Sequence, residues 1–180
     1  MDNVKVLDKE FEIYLKEEEV LEIIGRLAKR INKDYEGLNP LMLPTLNGSF
    51  MFCADLMKGI TITCEIQFIK VSSYEGTSST GTVSKLIGID ERKLKGRHVI
   101  ILEDIIDTGI TMKNLLEDLG AKGQASMKIC TMLLKPDVYK KSTKLDYVGM
   151  EIPDAFIVGY GLDYNERGRN SKDIYVLDEQ

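Results

Sequence analysis

The sequence predicts an α/β fold with a doubly wound, mainly parallel sheet flanked by helices. Residues 99–102 read Val-Ile-Ile-Leu, a continuous apolar run that is typical of a parallel strand covered on both faces. Helical spacing of apolar residues follows at 111–119, and other apolar strands alternate with helical segments along the chain. Because strands that alternate with helices form right-handed βαβ units, this order predicts helices on both faces of one sheet.

The composition limits the classes of protein to which the chain can belong. Its 180 residues fit a single domain, residues 1–180, large enough to bury a core. A net charge of −5 without a dense basic block excludes nucleic-acid binding as a main task. Three cysteines without C-x-x-C spacing favour reduced thiols over a disulfide framework or a zinc site. No leader pattern or long apolar run is found, so we expect a cytoplasmic protein with no membrane contact.

The elements of the first half follow from local patterns. Loose alternation of apolar and charged residues favours an extended entry or hairpin. The next apolar residues recur at i, i+3, i+4 and i+7, which indicates an amphipathic helix. The predicted order is a hairpin at 4–15, a helix from Glu17 that ends before Gly37, a buried strand at 41–46, a helix at 50–57 after Asn47-Gly48-Ser49, and a strand at 62–71.

The second half begins with a segment that cannot form a core. Nine of the eleven residues in 72–82 are Ser, Thr or Gly, which is typical of a disordered surface loop, although unstructured loops of this length in compact domains are often lids. Both interpretations stay open from composition alone. The remaining elements are predicted as strands at 99–102, 127–134, 147–148, 155–159 and 174–177, with a helix from Thr111 to Gly120.

Three acids follow the strand at 99–102, where an open parallel sheet binds its ligands. Glu103 and Asp104 can accept hydrogen bonds from two neighbouring ribose hydroxyls. Asp107 leads into Thr108-Gly109-Ile110-Thr111, a turn whose free amides at a helix N-terminus suit a phosphate. The alternative is a solvated turn with Asp107 or Thr108 as N-cap. We favour a sugar-phosphate site, because three acids and Thr-Gly-x-Thr occur together directly after a buried strand.

The stretch 99–112 resembles the motif with which type I phosphoribosyltransferases bind 5-phosphoribosyl 1-diphosphate (PRPP). From residue 41 to the end, further motifs in family order resemble the hypoxanthine (hypoxanthine-guanine) phosphoribosyltransferase branch. The resemblance implies transfer of 5-phosphoribosyl from PRPP to hypoxanthine or guanine, which gives IMP or GMP and pyrophosphate in purine salvage. It also implies a core at about 35–150, a hood at about 1–15 and 151–180, a mobile loop at 72–82, and a homodimer or homotetramer.

A metal requirement is expected on two grounds. A mildly acidic protein that handles a polyphosphate has to neutralise it locally, and Mg²⁺ shared between carboxylates and phosphate oxygens does so. The resemblance implies that the carboxylates of Glu103, Asp104 and Asp163 hold this Mg²⁺.

The resemblance also distributes the remaining roles. Asp107 would accept the proton of purine N7 as the base attacks the sugar. The pyrophosphate contacts would come from Asn47, Gly48 and Ser49, in a turn that often contains a non-proline cis peptide, and from Ser73, Tyr74 and Arg169. The 5′-phosphate contacts would come from Thr108, Gly109, Ile110 and Thr111. The purine contacts would come from Lys135 at O6, from Phe156 by stacking, and from the backbone of Ile157 and Asp163.

Residues alone leave plainer interpretations open. Asn47-Gly48 can be an ordinary turn with Ser49 as N-cap. Lys135 can be solvated and Phe156 can belong to the core. Many relatives carry Lys or Arg at the position of Asn47, and several carry Lys at that of Ile110. Two other functions also stay open: a xanthine-preferring transferase, and a PRPP-sensing regulator of the same fold.

Overall fold

The computed structural model describes residues 3–74, 83–120, 122–141 and 143–178, and it describes side chains outside 71–87. Three helices of the described part carry the predicted amphipathic segments. They are α1 (Glu17–Asp34), α2 (Phe50–Gly59) and α3 (Ile110–Leu119). No helix among the described residues combines the length and apolarity that a membrane span requires.

The larger sheet has seven strands within the described residues. They are β3 (Leu41–Leu46), β4 (Glu65–Ile66), β5 (Ile69–Tyr74), β6 (Val83–Ile87), β7 (His98–Ile106), β8 (Ser126–Leu134) and β9 (Tyr147–Glu151). Their order is β6-β5-β3-β7-β8-β9, with β4 also paired to β3, and every pair is parallel except β5 with β6. The predicted mainly parallel α/β sheet is therefore confirmed.

Alternate residues of the central strands belong to different cores, as a sheet covered on both faces requires. Met42 and Ile100 pack into the cluster that contains α1 and α2. Leu41 and Val99, one position earlier on each strand, pack into the cluster that contains α3. The continuous apolar runs at 41–46 and 99–102 thus face a helical layer on either side.

A second sheet joins the two ends of the chain. Its antiparallel strands, in the order β1-β2-β11-β10, are β1 (Val4–Val6), β2 (Lys9–Leu15), β11 (Ile174–Leu177) and β10 (Ile157–Val158). Its own small core contains Val6, Phe11 and Val158. This sheet places the segment that precedes β10 beside the N-terminal hairpin.

The predicted strand at 62–71 is wrong, since β4 and β5 are separate strands on the same neighbour. The Met42 carbonyl on β3 accepts from the Gln67 amide at 3.0 Å. Pro44 lies two residues further along β3 and so faces the same neighbour, but it has no N–H to donate. The ladder is interrupted there and resumes where Thr45 pairs with Ile69.

Two further expectations need correction. Residues 72–74, part of the predicted loop, belong to β5, and β6 is a strand where none was predicted. Residues 75–82 of the predicted loop lie outside the described residues. The strand at 99–102 extends to Ile106, so Glu103 and Asp104 lie within β7 and not after it. Glu103 pairs with Thr131 of β8, which holds the backbone of the two acids in the sheet.

Candidate active site

A cavity of about 250 Å³ lies where β7 ends and α3 begins. Nine residues between Glu103 and Met112 line it, all except Ile110. Ile110 is instead about half exposed, so its predicted phosphate contact can come from its backbone only. The other predicted phosphate-turn residues, Thr108, Gly109 and Thr111, all lie at this cavity.

The turn into α3 presents backbone donors to the cavity. Gly109 occupies the N-cap position with a φ of 82°, a left-handed conformation that glycine adopts without strain. The Thr108 hydroxyl accepts from the Ile110 amide at 3.4 Å. The N-cap is thus Gly109 rather than Asp107 or Thr108. The Thr108 hydroxyl takes up the Ile110 amide, which leaves the other amides of the first turn of α3 to an anion.

Glu103 and Asp104 form a pair of neighbouring acids at the cavity. Asp104 is buried, with 6% of its surface exposed. Burial and the neighbouring Asp104 charge raise the pKa of Glu103 well above its usual range. Burial also raises the pKa of Asp104, while a hydrogen bond from Glu103 and the nearby Arg169 charge oppose that rise. Two buried neighbouring carboxyls favour a shared proton over two negative charges, and a cation or a set of hydroxyl donors could take the place of that proton.

The raised pKa of Glu103 predicts a stability that depends on pH. When a carboxyl binds its proton more tightly in the folded state, the free energy of unfolding of the protein falls as the pH rises from the unfolded-state pKa through the folded-state pKa. Gln cannot ionise, so Glu103→Gln is expected to unfold at about the wild-type temperature near pH 4.5, the ordinary pKa of a glutamate, and at a higher temperature than wild type at about pH 8. Thermal unfolding at both pH values checks this.

The matched control for that comparison is Glu22→Gln on the solvent face of α1. Its unfolding temperature should differ from wild type by the same small amount at both pH values. A Glu103→Gln variant that is no more stable than wild type near about pH 8 would contradict the raised pKa.

The Asn47 turn packs directly against Asp104. The peptide bond between Leu46 and Asn47 is cis, as the family resemblance implied for this turn. A Cβ on Gly48 would lie 2.0 Å from Asp104 Oδ2. A Cβ on Gly161 would in turn lie 2.1 Å from the Gly48 carbonyl oxygen. Both glycines are therefore needed for the turn to fit between β7 and the hood.

Ser49 does not offer the contacts that were predicted for it. It is fully buried, and its hydroxyl donates to the Thr45 carbonyl at 2.5 Å. Its amide donates to the same carbonyl at 3.3 Å. The structure commits both donors of Ser49 to the end of β3, which leaves Asn47 and Gly48 as the exposed part of the turn.

Lys135 brings two carboxylates together. It follows β8 and is buried, with 7% of its surface exposed. Its Nζ lies 3.3 Å from Asp107 Oδ2 and 3.0 Å from Asp154 Oδ1. Lys135 is therefore not a solvated surface lysine. It connects the end of β7 to the segment that leads into the hood.

The hood segment presents one aromatic ring to solvent. Phe156 is 45% exposed, so it is not a core residue. The ring centroids of Phe11 and Tyr164 lie 6.2 Å and 5.8 Å from that of Phe156, with Tyr164 edge-on. These two rings hold Phe156 in place and leave part of it free to stack on a planar ligand. Ile157, the next residue, is buried and pairs with Val176, so it can contact a ligand only through its backbone.

Arg169 and Asp163 form an ion pair within the hood. Arg169 Nη2 lies 2.6 Å from Asp163 Oδ1, and Arg169 Nη1 donates to the Gly161 carbonyl at 2.7 Å. Asp163 Oδ2 accepts from the Glu166 amide at 2.8 Å. Both oxygens of Asp163 are thus bonded within the hood.

The residues fit a magnesium ion in part. Within the described ranges, no group of three acids, histidines or cysteines is placed to hold a metal, so Glu103, Asp104 and Asp163 do not form one cluster. Glu103 and Asp104 are adjacent hard oxygen donors at the cavity, and a dication would relieve their mutual repulsion. Mg²⁺ commonly binds through one or two carboxylates together with substrate phosphates and waters, which this pair can satisfy.

Several expectations lie beyond these observations, and two residues were missed. The side chains of Ser73 and Tyr74 fall outside the described side chains. His98 lies at the amino end of β7, away from the cavity, and its Nδ1 forms a hydrogen bond with Ser126 Oγ at 2.8 Å.

Asp154 and Tyr164 were not predicted as site residues. Asp154 follows a proline before the hood strand, and this acidic turn beside an aromatic is the one pattern that could have pointed to it.

Comparison with known proteins places this geometry among transferases. The model of the phosphoribosyl transferase domain matches residues 11–165. The hypoxanthine-guanine phosphoribosyltransferase of Lactococcus lactis is 46% identical over 175 residues, covering 96% of this chain and 94% of the relative. The enzyme of the same name from Bacillus subtilis is 42% identical over 166 residues, covering 92% of both chains.

Solved structures agree with the sequence relatives. A hypoxanthine-guanine phosphoribosyltransferase from Bacillus anthracis superposes with a TM-score of 0.83 at 37% identity, covering 93% of this chain and 98% of that one. A point mutant of the hypoxanthine phosphoribosyltransferase from Trypanosoma cruzi, complexed with its product IMP, has a TM-score of 0.84 at 35% identity, covering 98% and 94% of the two chains.

Proposed function

This chain belongs to the phosphoribosyltransferase family, with hypoxanthine-guanine relatives that match nearly its whole length, and from that premise we propose that it transfers 5-phosphoribosyl from PRPP to hypoxanthine or guanine. The products are IMP or GMP and pyrophosphate. The observation that carries the proposal is the contact of Lys135 Nζ with Asp107 Oδ2 at 3.3 Å.

That contact places a proton acceptor, Asp107, next to an ammonium donor, Lys135, so that a single purine can contact both. Asp107 borders the cavity with the acids and the phosphate turn, and Lys135 is the ammonium that a 6-oxo group needs. O6 and N7 lie side by side on one edge of hypoxanthine and guanine, and lysine is a donor that reads that pair. Adenine presents an amino donor at the same position, so an ammonium there selects against it.

We assign the remaining roles to the residues around the cavity. The amides of Thr108 to Thr111 hold the 5′-phosphate at the N-terminus of α3. The carboxylates of Glu103 and Asp104 accept from the ribose hydroxyls. Phe156 stacks on the base, and backbone groups of Ile157 and Asp163 read the edge of the ring. We assign the pyrophosphate contacts to the backbone of Asn47 and Gly48 and to Arg169. Arg169 bonds the carbonyl of Gly161, the glycine that packs against Gly48.

These residues act mainly by positioning and by moving one proton. Binding both substrates in one cavity supplies proximity, and Asp107 takes the N7 proton as N9 attacks C1 of the ribose. A bound Mg²⁺, held by Glu103 and Asp104 together with substrate oxygens, would neutralise charge on the departing pyrophosphate. We also propose that Ser73 and Tyr74 help exclude water from the reacting centre.

The test of this function is an assay of base, PRPP and Mg²⁺ with hypoxanthine, guanine and xanthine in parallel. We expect IMP and GMP to form, and xanthine to react poorly. Preferential use of xanthine would identify the alternative transferase. Binding of PRPP without turnover of any base would identify a regulator. Omission of Mg²⁺, with a chelator present, should abolish the reaction.

Lys135→Ala is expected to damage base binding far more than PRPP binding. A hydrogen bond to a charged group contributes about 1.5–3 kcal/mol, so the KM for hypoxanthine should rise about tenfold or more while the dissociation constant for PRPP changes by less than about threefold. Initial rates against each substrate, and PRPP titration without base, measure the two effects. Equal losses in both affinities would remove Lys135 from base recognition.

A further inference from the structure

We propose that Asp154 is the positioning residue for base recognition: it holds the Lys135 ammonium off Asp107 and aimed at the 6-oxo group of the purine. This inference rests on the proposed function. The Lys135 ammonium has three donors and no acceptor. Two of them face Asp107 and Asp154, which leaves one for an acceptor oxygen in the cavity.

The two carboxylates do not hold the ammonium equally. Nζ lies 3.0 Å from Asp154 Oδ1 and 3.3 Å from Asp107 Oδ2, so Asp154 is the closer partner. Without Asp154, Lys135 would pair with Asp107 alone. An ammonium drawn closer to Asp107 would move away from its position beside O6 and would engage the oxygen that accepts the N7 proton. Asp154 therefore keeps both groups available to the base.

Asp154 also couples the donor to the stacking surface. It lies two residues before Phe156, in the segment between β9 and β10, and the Ala155 amide donates to the Pro153 carbonyl at 2.9 Å within this short turn. The Lys135 side chain is only 9% exposed, whereas that of Asp154 is 56% exposed. Because the Asp154 carboxylate is more than half exposed, its removal should cost little folding stability. A loss of base affinity in an Asp154 variant would therefore not come from a damaged fold.

The first test is Asp154→Asn, which keeps the shape and removes the charge. We expect the KM for hypoxanthine to rise about three- to tenfold, the KM for PRPP to change by less than about twofold, and the unfolding temperature to stay within about 2 °C of wild type. Asp154→Glu should recover at least half of the lost base affinity. Glu151→Gln, an exposed acid of β9, is the matched control and should leave both KM values unchanged.

The second test is a double-mutant cycle with Lys135→Met. If Asp154 acts through the lysine, adding Asp154→Asn to Lys135→Met should not raise the base KM further. An unchanged base KM in Asp154→Asn, or an equal rise in the Lys135→Met background, would overturn the proposal. Wild-type protein that turns over no base would instead overturn the proposed function, so the two failures are distinguishable.

Discussion

Replacing Asp107 with Asn is expected to lower kcat for nucleotide formation about a hundredfold or more, because general-base help contributes about 10²–10⁴-fold and an amide cannot accept the proton. The substitution keeps the shape of the side chain. It also turns one acceptor into an NH₂ group that would face Lys135 Nζ, now 3.3 Å from the carboxylate. Two donors at that distance repel, which adds to the loss.

PRPP binding should survive this change. The phosphate contacts proposed above come from the amides of the first turn of α3 and from Glu103 and Asp104, none of which Asp107 supports by a hydrogen bond among the described residues. PRPP titration in the absence of base should therefore give a dissociation constant within about twofold of wild type. The measurement pairs this titration with initial rates at saturating substrates.

The control for Asp107→Asn is Asp137→Asn, an exposed acid two residues after Lys135. It alters the charge of the neighbourhood without touching the lysine and should leave kcat unchanged. A near-normal kcat in Asp107→Asn would remove Asp107 from the proton transfer. A loss shared equally by kcat and PRPP affinity would indicate instead that the residue shapes the phosphate turn.

The most accurate predictions are for elements whose buried residues form a regular pattern in the sequence. α1 begins at Glu17 as expected, because its buried residues recur with helical spacing on one face. β3 occupies 41–46 as predicted, since every residue but the last is buried. Only residues 69–71 of β5 lay in a predicted strand and β6 was missed, because the two strands are rich in Ser and Lys and carry no long apolar run. Such strands are held by backbone hydrogen bonds to a neighbouring strand, and the local residue pattern does not show which segments pair.

The sequence indicated which residues lie around the cavity, but it did not indicate which partners their side chains contact. The cavity lining at 103–112 matches the stretch that was chosen from the sequence. The partners of Lys135 lie 28 residues before it and 19 after it, and no local pattern reveals that both carboxylates reach one ammonium. The family resemblance implied a pyrophosphate contact for Ser49, although the end of β3 uses both of its donors. The sequence shows which groups are present, and packing determines which of them remain free.

The same reasoning predicts the second large effect, at Gly48. An added Cβ would lie 2.0 Å from Asp104 Oδ2 and 2.7 Å from Asp104 Cγ, so Gly48→Ala has to displace either the turn or the carboxylate. Asp104 lies within β7 and is 6% exposed, so it has little room to retreat. The turn is confined on its other side, since Gly161 approaches the Gly48 carbonyl.

A displacement of about 1 Å at a reacting centre can cost about a hundredfold in rate, and Gly48→Ala is expected to lower kcat/KM for PRPP by at least that factor. The overpacking should also destabilise the fold by about 1–3 kcal/mol. Gly25→Ala is the matched control: this glycine lies inside α1 with nothing within 4 Å of an added Cβ, so it should keep full activity and gain about 0.5–1 kcal/mol of stability. Steady-state rates and urea unfolding of both variants distinguish the effect of any glycine-to-alanine change from the effect of the steric clash with Asp104. Near-normal kcat/KM in Gly48→Ala would show that the turn can move away from Asp104 without losing its hold on PRPP.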